Sequence, residues 1–157
     1  MRRLDWRLVA AVAVVVGVLA WLATRWSLSV GAAPVQIPWI AGVALIVAAA
    51  VVIAYGWQVR QYRAGNRPSL SALQAARTAV LGQAAAYAGA VFVGGYGGVA
   101  VALAAEWSHA PRQELVITAL VATGGALVLS AAGFVTERWC MADDHDDDPP
   151  SGAPDAA

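Results

Sequence analysis

Lysine is missing from this 157-residue sequence, and all ten basic residues are arginine. Charged residues of every kind make up 13% of the chain, where a soluble domain carries about 25%. Cysteine occurs once, at Cys140, which excludes an intramolecular disulfide and a multi-cysteine metal site and leaves the redox compartment unread. Four stretches contain no charge at all: residues 8–24, 37–57, 78–104 and 115–135. A proton relay or ion-coupled pump across these stretches lacks its usual intramembrane titratable group. The formal net charge is zero, but six of the ten acidic residues lie beyond residue 142. That segregation gives neither a nucleic-acid footprint nor an acidic enzyme surface, so no nucleic-acid partner is expected.

What is present is apolar, at 60% of residues. Each charge-free run is long enough, or nearly so, to cross a bilayer core of about 30 Å as a helix. The fold class that follows is all-α: a four-helix transmembrane bundle with short loops and a disordered acidic C-terminal tail over residues 141–157. Residues 1–7 form an N-terminal arm with Arg2, Arg3 and Arg7, followed by the first helix over 8–24. A cleaved signal peptide competes for this stretch. The length of the run, its Trp21-to-Arg25 end and the lack of an Ala-x-Ala site at that end favour an uncleaved helix. The second helix is expected over 37–57, opened by Pro38, with Trp39 near its start and Tyr55 and Trp57 near its end as interfacial anchors. A basic loop over 59–77 carries Arg60, Arg63 and Arg67 at spacings that share a helix face. These three are candidates for contact with anionic lipid; the plainer reading is that they set topology.

The third run, 78–104, is the expected packing centre. At about 1.5 Å per residue it is roughly 40 Å long. On an ideal wheel Gly94, Gly95, Gly97 and Gly98 fill an arc of roughly 160°, with Gln83 and Tyr87 inside the same arc and Tyr96 opposite. Small residues let helix backbones approach in lipid, and a buried amide needs a partner there. The fourth run, 115–135, carries Thr118, Ala122, Ala126 and Ser130 at four-residue spacing, again suited to close packing. Matching the ends of runs three and four pairs Arg77 with Glu137 as an interfacial ion pair. The same register brings Gln83 to Ser130, with Tyr87 as the other partner for the amide.

Eight arginines fall on the side of the two termini and two, Arg25 and Arg112, on the other. The positive-inside rule then puts both termini in the cytoplasm of a multi-pass plasma-membrane protein.

Sites for chemistry are scarce. His109 with Glu106 and Glu114 lacks the helical spacing of a metal site, and the tail aspartates lack the glycine and distal glutamate of a calcium loop, so no metal and no cofactor is expected. The hydroxyls of the spans have no His or Lys base within the spans, Cys140 is read as a spectator thiol, and the glycine cluster has no following Gly-Lys-Ser or Gly-Lys-Thr. The chain is not expected to be an enzyme.

Three combinations of residues carry a resemblance: 75–81 (AARTAVL) entering run three, Tyr87-Ala88-Gly89-Ala90 followed by Gly95-Tyr96-Gly97-Gly98, and Glu137-Arg138-Trp139-Cys140 closing run four. With the order of the runs, they resemble a family of small actinobacterial four-span membrane proteins of unknown function, over roughly residues 5 to 140. The resemblance implies a genetic neighbourhood of folate biosynthesis, and it marks Arg77, Gly95, Tyr96, Glu137 and Trp139 as positions to test. It transfers no activity. The expectation is therefore a non-enzymatic scaffold, partner subunit or homo-oligomer in the lipid bilayer. A multi-copy small-solute channel or facilitator, with Gln83, Tyr87 and the glycine face along its route, is the alternative.

Overall fold

A computed structural model describes residues 5–31, 37–63, 72–105 and 110–141. The expected acidic tail beyond Met141, Arg67 and the turn with Glu106 and His109 lie outside them. Four helices make up the described chain: α1 (Trp6–Ser29), α2 (Ile40–Arg63), α3 (Ala72–Ala104) and α4 (Ala110–Met141). Each contains an apolar span, at Trp6–Ser29, Ile40–Gln61, Arg77–Ala104 and Gln113–Trp139.

The helices run past the expected ends. Residues 59–63, read from sequence as loop, are helical, and α3 starts at Ala72, upstream of the charge-free run. Hydropathy marks where lipid ends, whereas helical hydrogen bonding continues into the headgroup layer, where Arg and Trp keep their polar tips wet. Local chemistry sets the ends that can be followed. Asp5, with extended backbone, caps α1 by accepting from the Arg7 N–H at 3.1 Å. Gly31 closes α1 at a φ of 73°, a left-handed conformation suited to glycine, and its N–H donates to the Leu28 carbonyl at 3.2 Å. At the start of α2 the Ala41 N–H folds back onto the Pro38 carbonyl at 2.9 Å. Within the spans, Thr24 and Thr123 donate to the carbonyls one turn back, Ala20 and Ala119, so lipid meets no bare hydroxyl there.

The helices stand in the order α1, α3, α4, α2. The antiparallel pair α3 and α4 is the centre; α1 packs on α3, α2 packs on α4, and α2 also touches α3. Among the described residues α1 meets no helix but α3. Contacts such as Gly17 with Gly94 and Gly56 with Thr136 run at near-constant residue differences, so α1 lies parallel to α3 and α2 parallel to α4.

The core is made of small side chains. Ala49, Ala85, Ala126 and Ala132, with Leu45, Val52 and Leu129, form one buried cluster, against which Val93 and Tyr96 pack. Such residues bring backbones together, and dispersion and backbone proximity then stabilise the assembly in lipid. The outside is the reverse of a soluble protein, with Val14, Leu19, Ile46, Val47, Ile117 and Leu120 all exposed. Trp6 and Trp26 mark the two ends of α1, and Trp39 and Trp57 the two ends of the second span. An aromatic girdle therefore sits at both membrane boundaries.

Candidate functional site at the shared end of the second, third and fourth helices

Three glycines create the site. Gly56 on α2 and Gly82 on α3 flank Thr136 of α4: a methyl added at Gly56 would lie 2.8 Å from the Thr136 hydroxyl, and one at Gly82 would lie 3.3 Å from its Cβ. Gly133, one turn earlier on α4, sits so close that its added methyl would lie 2.5 Å from the Ala86 nitrogen. Thr136 is thereby fully buried and donates its hydroxyl to the Val52 carbonyl at 3.4 Å. That seats a hydroxyl between helices without stranding it in lipid.

The next residue, Glu137, is only 3% exposed. Its carboxylate accepts from the Gln83 side-chain amide of α3 at 3.2 Å. Beyond it Trp139 meets Trp57 edge to face, with ring centroids 6.0 Å apart. The Arg60 guanidinium lies over both rings, 5.5 Å from Trp57 and 5.4 Å from Trp139. A buried carboxylate, an amide, a seated hydroxyl and an arginine between two indoles thus gather at one end of the α2–α3–α4 unit.

The residues singled out from sequence distribute unevenly. Gln83 is brought to Glu137, not to Ser130 or Tyr87. Ser130 instead donates to the Ala86 carbonyl at 3.3 Å and abuts Gly89. Tyr87 is 36% exposed. Among the described residues no ion pair joins Arg77 to Glu137; Arg77 is exposed. The cause is register. The glycine contacts Gly133 with Ala86 and Gly89 with Ser130 set α3 against α4 about one turn away from the alignment that matching charges requires.

The glycine arc is divided. Gly94 and Gly98 press on α1, where added methyls would strike the Ala13 and Gly17 carbonyls. Gly97 looks toward Thr123 of α4 at 3.9 Å, and a methyl at Gly95 would meet nothing within 4 Å. Tyr96, opposite the arc, packs against the α2–α4 core and stacks on Phe92 at 5.8 Å. Of the basic set, Arg60 belongs to the site just described. The backbone of Arg63 completes α2, and Arg67 lies outside the described residues.

A second feature is an apolar groove of about 430 Å³ between α1 and α3, floored by Gly17, Gly94 and Gly98 and walled by Val14, Val18 and Val101. No cluster of three or more metal-ligating side chains occurs among the described residues. Trp139 and Gly82 had only weak signals in the sequence: an aromatic at a span end and one more glycine in a glycine-rich run.

Four long apolar helices with aromatic boundaries and a lipid-facing aliphatic surface define a multi-pass membrane protein of unknown function. The chain belongs to the family described as protein of unknown function DUF3180, whose model matches residues 8–144. No curated protein and no solved structure matches it.

Proposed function

We propose that this protein is a non-enzymatic scaffold or partner subunit of the plasma membrane, with both termini in the cytoplasm, that engages another membrane helix or a second copy of itself. The groove between α1 and α3 carries this reading. Among the described residues α1 is held by α3 alone, and beside that contact lies an apolar recess with a glycine floor, of a size to receive the side chains of a partner helix. The actinobacterial origin and the link to folate or pterin metabolism, both implied by the resemblance, belong to this proposal.

Purification of the tagged protein from native membranes, with mass spectrometry of what accompanies it, tests the reading. Val18→Trp fills the groove and is expected to remove the accompanying protein or the second copy. A partner retained undiminished by that variant would overturn the assignment.

The channel or facilitator reading has one observation in its favour. The fourth apolar span reaches Trp139 and so includes Glu137, a buried carboxylate bonded to Gln83, where the sequence reading placed no titratable group inside a span. Proteoliposome flux separates the two: a facilitator loses flux in Gln83→Leu with assembly intact, whereas a scaffold shows no flux to lose.

A further inference from the structure

Trp57 and Arg60 are three residues apart on α2 and so share a face. Trp139 comes to them from α4, because Gly56 admits Thr136 one turn earlier and fixes the two parallel helices in that alignment. The guanidinium and the two ring centres form a nearly equilateral triangle, with separations of 5.4, 5.5 and 6.0 Å. A cation–π contact draws on the charge of the guanidinium and uses none of its N–H donors in a hydrogen bond. Among the described residues Arg60 makes no hydrogen bond or ion pair, and its side chain is exposed.

Its depth is equally informative. Arg60 is the penultimate residue of the second apolar span, and Trp139 closes the fourth. The cluster therefore stands at the boundary where lipid phosphates lie. We propose that Arg60, held between Trp57 and Trp139, is the phosphate-binding residue of a site for an anionic phospholipid headgroup.

The aromatic platform fixes the fork, so less side-chain freedom is lost when a phosphodiester accepts two of its N–H bonds. It also gives selectivity. A choline headgroup carries its own cation, which would seek the indole faces. The guanidinium already lies over one face of each indole, so a choline approaching there meets a like charge. Of the three arginines on that face in the sequence, Arg60 is the one whose side chain is described, and its site stands whether or not the scaffold reading does.

The test uses the full chain in mild detergent, offered equal amounts of phosphatidylglycerol and phosphatidylcholine, with retained lipids counted by native mass spectrometry. The expected result is a phosphatidylglycerol preference that falls about fivefold in Arg60→Gln, the factor equivalent to about 1 kcal/mol per basic residue at an anionic surface. Trp139→Leu reduces it comparably although the arginine remains, and Arg60→Lys restores only part of it. Arg25→Gln, which removes a guanidinium set over Trp21 alone, leaves it unchanged. Should Trp139→Leu lose its helicity, Trp139→Phe carries the same test with an intermediate preference. Millimolar inorganic phosphate does not displace the lipid. The proposal is overturned if Arg60→Gln keeps the wild-type preference, if Arg60→Lys restores it completely, if Arg25→Gln lowers it as much, or if free phosphate empties the site.

Discussion

Gln83 of α3 donates its side-chain amide to the Glu137 carboxylate of α4 across 3.2 Å, joining the two central helices near one membrane boundary. Hydrogen bonds between helices in lipid contribute about 0.6 kcal/mol on average and about 1.7 at most, so this one sets alignment more than it stabilises. A double-mutant cycle with Gln83→Leu and Glu137→Leu, read by unfolding in a denaturing detergent, is expected to give a coupling between those two values. A coupling of zero would mean that the contact is not made in the membrane-embedded protein.

Gly133 and Gly95 are expected to respond oppositely to the same change. A methyl at Gly133 would be driven to 2.5 Å from the Ala86 nitrogen and 2.6 Å from the Gly82 carbonyl, and both are backbone atoms that cannot swing away. Gly133→Ala should cost about 1–3 kcal/mol, as overpacking does. Gly95→Ala meets no atom within 4 Å and should stay within about 0.5 kcal/mol of the wild type. Equal effects at the two positions would contradict the packing described.

α1 depends on Gly94 and Gly98. Gly98→Leu is expected to push α1 away, because the added side chain must displace Gly17 and Trp21 backbone as well as the Ala20 methyl. A photoreactive side chain at Val18, on the wall of the groove, should capture α3 in the wild type and fail to do so in that variant. The α2–α3–α4 unit, which makes no use of this contact, should keep its helicity.

The arginine asymmetry makes a directional prediction. In a Cys140→Ser background, a cysteine at Gly31 should react with a membrane-impermeant maleimide applied from outside intact cells. One at Ala157 should react only after permeabilisation. Reversed labelling would invert the orientation and leave the helix contacts untouched.

The spans could be read from sequence because the exclusion of charge from hydrocarbon is severe, and stretches such as 78–104 and 115–135 leave no alternative. The register could not. Arg77 opposite Glu137 satisfies a charge-matching argument, but the fit of Gly82, Gly89 and Gly133 against neighbouring backbone prevails, since tight van der Waals contact outweighs an interfacial ion pair. Neighbour choice was also hidden. A wheel separates the glycine arc from Tyr96, yet it cannot say that α1 takes one side and the α2–α4 core the other. Arg60 three residues after Trp57 was visible; the second indole arrives from a helix almost eighty residues away.

Among the described residues α1 attaches to α3 alone, and this has a consequence for biosynthesis. About seventy residues separate the end of α1 from Gly98. At translation rates of roughly 5–20 residues per second, the first helix waits on the order of 3 to 14 s before the surface it fits has left the ribosome. During that interval the α3 surface that covers Ala13 and Gly17 is not yet made, so a factor that receives the nascent helix would meet its small-residue edge.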